Sequence, residues 1–447
     1  MNKSPSPNIL VFFSDQQRWD TVGCYGQPLP ITPNLDRLAR EGVRFEHAFT
    51  CQPVCGPARA CIQTGKYATE VGCHVNHRML PIHETTIAKL LRGNGYETAY
   101  IGKWHLASCG PRNGLDDFTV SAVPPERRGG YGDYWLAADA LEHTSHGYDG
   151  YMYNGAMERV DFKGYRADCE TDFVIDYLQS RTSKKPFFLF ASYLEPHHQN
   201  DHNRYEGPDG SKELFRDYPV PGDLEGTQGD WRENYPDYLG CCERLDFNLG
   251  RIVATLKRLG QYEDTVIVYT SDHGSHFRTR NGEYKRSCHE SSIRIPMVIR
   301  GGPFVGGPTV RELVSLIDLP PSLLALAGMN APSSMRGKPM QPLAEGKAEN
   351  WPDEVFFQIS ESHTGRGIRT RKWKYAVAAP YENGMDRAGS DVYHEAFLYD
   401  LDADPYEKNN LVDDPAFADV RGTLAAVLKK RMEQAGETVP AILPAAR

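Results

Sequence analysis

The chain has 447 residues, 40% of them hydrophobic and 24% charged, with a formal net charge of −9. That size and balance describe one large globular domain, or a large one with a smaller companion. The acidic surplus, unbroken by any long lysine or arginine run, argues against a nucleic-acid partner. The opening apolar run, NILVFF, is too short to cross a bilayer or to form a signal-peptide core, so a cytoplasmic chain with no membrane partner is expected.

In chain order, NILVFFSDQQ is a continuous apolar run ending in polar residues. This is the pattern of a strand buried on both faces with functional groups at its carboxyl end. TPNLDRLAREG predicts a helix with Thr32 as N-cap, Pro33 in its first turn and Gly42 as terminator. TTIAKLLRGNG predicts an amphipathic helix, and YETAYIGKWH a second strand ending in polar residues. Residues 124–165, dense in Tyr, Gly and Trp, predict a long loop, either a binding lid or a surface insertion packed on itself. The alternation resumes with the strand KPFFLFASYLEPHH, a helix around CCERLDFNLGRIVATLKRLG, the strands DTVIVYTSDHG and IPMVIRG, and the helix LIDLPPSLLALAG.

This succession predicts an α/β fold with a mostly parallel sheet flanked by helices. A Pro-, Gly- and charge-rich stretch after residue 330 marks a linker, giving a catalytic domain over 1–350 and a C-terminal subdomain over 351–447. In the latter, VFFQIS, GIRTRKWKYAVA and AFLYDL predict three antiparallel strands before a terminal helix, VRGTLAAVLKKRMEQAG.

Polar residues gather at the predicted strand ends: Asp15 and Gln16, Lys103 and His105, His197 and His198, Asp272 and His273. In an open α/β sheet these ends share one edge, where ligands bind. Aspartates from two strands, with Gln and His beside them, suit a hard divalent cation, although any one pair could equally cap a helix. The ten cysteines, four of them at 51, 55, 61 and 73, match no common zinc spacing and are expected to be reduced and buried.

The run VCGPARACIQTG sets Cys55, Pro57 and Arg59 at alternating positions and closes on Thr64-Gly65. Together with the strand-end pairs it resembles the sulfatase family, within the alkaline-phosphatase-like superfamily. There the cysteine of Cys-x-Pro-x-Arg-x-x-x-x-Thr-Gly is oxidised after translation to formylglycine (3-oxoalanine). The likeness covers nearly the whole chain: NILVFFSDQQRWDTVGCYG, TPNLDRLAREGVRFEHAF, IGKWH, EPHH, SDHG, Lys285 and FLYDLDADPYEKNNL follow in family order.

The resemblance implies that Cys55 is the formylglycine precursor, converted by a formylglycine-generating enzyme. It implies a divalent ion, usually Ca2+, on Asp15, Gln16, Asp272 and His273. Arg59 would steady the formylglycine, while Lys103, His105, His197 and Lys285 would surround a sulfate ester. One hydroxyl of the hydrated aldehyde would attack sulfur, His197 with Lys285 would protonate the leaving oxygen, and His105 would take the proton that frees the sulfate. The segment after Cys55 reads as a helix start whose free N–H groups face the anion.

Two positions depart from the family pattern: Gln16 stands where many relatives have a second aspartate, and His289 precedes Glu290 where a tyrosine is frequent. A phosphonate monoester or phosphodiester hydrolase shares the CGPAR run and the Gln, but tends to lack the Lys103–His105 pair. An unmodified binding protein is the rival outside enzymes. For the substrate, the aromatic segment, the residues from His198 to His202, and His363, Arg366, Arg369 and Arg371 are candidate contacts. The strand arginines could instead be solvated. A sulfated carbohydrate is expected first, an aryl sulfate second.

Overall fold

The computed structural model describes residues 6–108 and 117–445. The first five residues, on which the expected cytoplasmic location partly rests, lie outside the described residues.

An eleven-stranded sheet runs through the molecule. Its strands are β1 (Asn8–Ser14), β2 (Val43–Phe49), β3 (Glu97–Lys103), β4 (Tyr134–Ala138), β5 (Asp149–Asn154), β6 (Arg159–Lys163), β7 (Phe187–Ser192), β8 (Thr265–Ser271), β9 (Arg294–Ile295), β10 (Met297–Arg300) and β11 (Thr309–Ser315). Their order is β11-β2-β10-β8-β1-β7-β3-β4-β5-β6, with β9 beside β2.

The central block β8-β1-β7-β3-β4 is parallel throughout. Side chains of β1 alternate between two cores, as a strand covered on both faces requires. Ile9, Val11 and Phe13 face one core, while Leu10 and Phe12 face the other. Helices α1 (Pro33–Glu41), α4 (Arg166–Ser180) and α5 (Trp231–Arg258) cover the second face. Helices α2 (Cys55–Thr64), α3 (Ile87–Gly93) and α6 (Leu319–Leu326) cover the first.

The margins depart from the parallel expectation. β10 lies antiparallel to both β8 and β2. Between β8 and β10 the one helix is the four-residue Glu290–Ile293, with no long crossover helix, so β10 returns alongside β8 instead of crossing over. Residues 124–165 are not a loop. They supply β4, β5 and β6 and extend the sheet beyond β3.

Thr32 occupies the N-cap of α1 but makes no side-chain cap bond. Instead Asp246, from α5, accepts from the backbone N–H groups of Asn34 (3.1 Å) and Leu35 (2.7 Å).

A second sheet holds β12 (Glu354–Ile359), β13 (Thr364–Thr370), β14 (Trp373–Ala379), β15 (Val392–Asp400) and β16 (Ala441–Leu443), followed in packing by α7 (Ala418–Gln434). The stretch predicted as one strand, GIRTRKWKYAVA, is two, paired antiparallel around Arg371–Lys372. Phe356, Ile368, Tyr375 and Leu428 join the same apolar core as α2 and α6, so the second sheet is packed onto the first.

Candidate active site

The carboxyl ends of β1, β3, β7 and β8 open onto one cavity of about 350 Å³. Cys55 lies in it as the first residue of α2. The helix starts there because Val54 is extended and Pro57 fits the first turn, where its missing N–H costs nothing. Gly56 N–H donates to Asn76 Oδ1 at 2.9 Å. The thiol is 1% exposed and is met from several elements. Lys285 Nζ lies 2.9 Å from its sulfur, His273 Nε2 3.2 Å and Asp15 Oδ1 3.4 Å.

Burial pushes the Cys55 thiol up, but Lys285, Lys103 and His273 together pull it well below the ordinary thiol range.

Asp15 is compensated twice. Arg59 NH2 donates to its Oδ2 at 3.0 Å and Lys103 Nζ at 2.9 Å. Burial and Cys55 push its carboxyl up, yet Lys103, His197 and Arg59 prevail and hold it at about 2. Arg59, one helical turn from Cys55, also donates to the Lys103 carbonyl (2.8 Å) and to Ser192 Oγ (2.7 Å). It therefore ties the ends of β1, β3 and β7 together rather than touching the sulfur.

Asp272 is the opposite case. Burial and the like charge of Asp15 push it up to about 7. Its Oδ2 is buried without a hydrogen-bond partner. His273 donates through Nδ1 to the Gly274 carbonyl (2.9 Å), which leaves Nε2 facing the site as a lone pair. Gln16 Nε2 donates to Tyr205 Oη (2.7 Å), which turns Oε1 toward Lys285, 3.4 Å away. Two carboxylates, an amide oxygen and an imidazole thus converge, and ligand atoms of Asp15, Cys55, Asp272 and His273 lie within 4.8 Å of one another.

Lys285 Nζ also donates to His197 Nε2 at 3.3 Å. Burial, then Lys285, lowers His197, so it is neutral at pH 7 and accepts this bond. His105 lines the cavity, and His198 lines it with its ring against Tyr284, 4.2 Å between centroids. The backbone is strained here. Of eleven non-glycine residues with positive φ among those described, six line the cavity: Gln16, His77, His105, Asn203, Arg278 and Arg286.

Several sequence candidates stand elsewhere. Arg366 is buried and donates to Glu437 (2.7 Å), to the Gly365 carbonyl (2.7 Å) and to the Ala388 carbonyl (2.5 Å). Its charge and donors are used within the second sheet, and neither it nor His363 lines the cavity. Arg369 reaches Glu290 instead (3.4 Å). Asp201 and His202 also stand apart, on a neighbouring surface.

Sequence reading missed Glu142, which accepts from Lys103 at 3.1 Å, along with Asn76, His77, His143, Asn203 and Arg278. Glu142 follows the end of β4, so the strand-end rule would have found it had that strand been read.

Fold and site define an α/β enzyme whose centre pairs an activated residue with lysines and a cation-binding set, the equipment of an anionic-ester hydrolase. The Sulfatase family profile matches residues 7–329, and the profile described as N-sulphoglucosamine sulphohydrolase, C-terminal, matches 282–435. The chain belongs to the sulfatase family and is a sulfuric ester hydrolase. It is 31% identical to the sulfatase YidJ of Escherichia coli K12, over 96% of this chain and 87% of that one. It is 27% identical to an N-acetylglucosamine-6-O-sulfatase of Bacteroides thetaiotaomicron, over 97% and 88%. A structure solved with its substrate, D-glucosamine-2-N,6-O-disulfate, superposes with a TM-score of 0.80 at 25% identity, covering 96% of this chain and 98% of that one.

Proposed function

We propose that this sulfatase hydrolyses a sulfate ester on a carbohydrate, using formylglycine made from Cys55 and a divalent cation, Ca2+, held by Asp15, Gln16, Asp272 and His273. The observation that carries the reading is the sulfur of Cys55 enclosed by Lys285, His273 and Asp15 at the start of a helix.

The residues fit a cation. Asp272 Oδ2 is a buried oxygen lacking a hydrogen-bond partner, and the oxygen-rich donor set suits a hard ion. Charge supports this too. Arg59, Lys103 and Lys285 face Asp15, Asp272 and Glu142, so the side chains nearly cancel, and a divalent ion supplies the positive surplus that a sulfate needs. When bound, the cation would neutralise charge on the sulfate oxygens. Formylglycine would supply a hydrated aldehyde, whose second hydroxyl allows sulfate to be released where a serine ester would persist.

The chain's own residues do the rest. Lys103, pinned between Asp15 and Glu142, and Lys285, pinned by three acceptors, hold ammonium groups over the anion without reorganising. Lys285 shares a proton with neutral His197, and this pair serves the leaving oxygen. His105 serves as the base for release. The α2 N–H groups add a positive dipole end beneath the sulfate.

Sugar specificity is assigned to the rim: Asn76, His77, His143, His198, Asn200 and Asn203 offer donors and acceptors suited to hydroxyls. Sulfate release from a panel of mono-sulfated glucosamines, galactosamines and uronates tests the reading, beside an aryl sulfate and an aryl phosphonate ester. Preference for a sulfated sugar is expected. Preference for the phosphonate ester would overturn it.

A further inference from the structure

We infer that His146, Asp201, His202 and Glu206 form a second cation site, built for an ion of the zinc class and separate from the one beside Cys55. The four come from two segments more than fifty residues apart. His146 stands just before β5, and the others follow β7. Ligand atoms of His146, Asp201 and His202 lie within 4.8 Å of one another. His146 Nε2 donates to Asp201 Oδ2 at 2.8 Å, and His202 Nδ1 to Glu206 Oε1 at 2.5 Å. The two imidazoles stack with centroids 4.3 Å apart and planes 9° from parallel.

What distinguishes this from a chance surface cluster is the shell behind it. Asp201 Oδ1 is taken by Gln199 Nε2 (2.8 Å), a buried side chain that also donates to the Glu142 carbonyl (2.9 Å). Glu206 Oε2 is taken by the Gly147 N–H (2.8 Å). Each carboxylate is thereby oriented through its outer oxygen, and its other oxygen is turned to an imidazole. This is how outer hydrogen bonds set metal-ligating carboxylates. Arg204 competes for Glu206 Oε1 at 3.2 Å but is largely exposed and free to withdraw.

The site opens onto a cavity of about 570 Å³, whose other charged lining is four carboxylates (Asp149, Asp209, Glu213 and Asp237) against Arg204 and Lys212. That balance draws cations. Two imidazoles with the Asp201 carboxylate, and Glu206 held against His202, select a borderline-soft tetrahedral ion over Ca2+ or Mg2+. To bind it, each ring takes the other tautomer. The Nε2 proton of His146 moves to Nδ1, which lies 4.0 Å from Asp149 Oδ1. The cation would clamp the 199–206 turn to the segment after Glu142 and His143. Between the paired residues Gln199 and Arg204 stand Asn200 and Asn203, which line the catalytic cavity, so the clamp would fix that rim.

The test is zinc retention by the full chain, stripped of metal, reloaded with Ca2+ and dialysed against Zn2+, read by elemental mass spectrometry. Wild type should keep one equivalent more than the His146→Ala/His202→Ala double variant, and Co2+ in its place should give tetrahedral d–d absorption that the double variant lacks. Equal zinc in both, or none in wild type, overturns the site. Should circular dichroism show the double variant unfolded, Glu206→Gln takes its place, because its amide oxygen still accepts from Gly147. It must then retain less zinc than wild type, and equal retention again overturns the site. Neither readout depends on catalytic activity.

Discussion

Replacing Arg59 with alanine should destabilise the chain by about 4 kcal/mol, since removing one partner of a buried ion pair costs about 3–5 kcal/mol. The value follows from what the guanidinium does. It is 2% exposed and donates to Asp15, to the Lys103 carbonyl and to Ser192, and its Nε lies 3.8 Å from Asp272 Oδ2. Without it, Asp15 keeps Lys103 as its one lysine or arginine partner, and two buried carboxyls face each other across the site. Urea unfolding followed by circular dichroism, in EGTA so that no cation compensates, measures the cost. Arg59→Lys restores the charge but not the planar fork, so it should recover less than half. A loss below about 1 kcal/mol for Arg59→Ala, the surface-pair range, would refute the argument, as would full recovery by lysine.

Other outcomes follow from the same geometry. His276 is buried and donates through Nε2 to the Lys285 carbonyl (3.0 Å), and burial lowers it to about 4. The folded state therefore binds fewer protons than the unfolded state between pH 6.5 and 4. The part of the stability that His276 contributes, present above pH 6.5, should fall by about 3 kcal/mol on acidification through that window. Unfolding of His276→Gln across pH should show a drop smaller by that amount. Stripping the chain with EGTA should lower its melting temperature and abolish sulfate release. Ca2+ at about a hundred times its dissociation constant should restore about 2.7 kcal/mol of stability, and calorimetry with and without Ca2+ reads it.

The central sheet was legible because strands buried on both faces must be continuously apolar, and NILVFF, FFLFAS and TVIVYTS leave little else to read. The strand-end rule then brought Asp15, Lys103, His197 and Asp272 to one edge, where the structure also gathers them. The margin beyond β3 was not legible. Its strands DGYMYN and RVDFK are half exposed and rich in Asp, Gly and Arg, so local preference opposes what pairing with β4 imposes. Glu142 was lost with β4, YWLAA, a short apolar run set inside the Tyr- and Gly-rich segment read as a loop. Arg366 misled for a different reason: its partner Glu437 lies 71 residues away, and strand periodicity says nothing about whether an arginine's donors are already taken. The turn at Arg371–Lys372 carries no Gly, Pro or Asn, which is why two strands read as one.

Cys55 carries the proposed chemistry, and one experiment reaches it directly. The protein would be co-produced with a formylglycine-generating enzyme, residue 55 read by peptide mass spectrometry, and sulfate release measured on the same sample and on Cys55→Ala. The expected result is the mass loss of formylglycine at residue 55, with sulfate release proportional to the converted fraction and absent from the alanine variant. An unmodified thiol in a sample that still releases sulfate would contradict it.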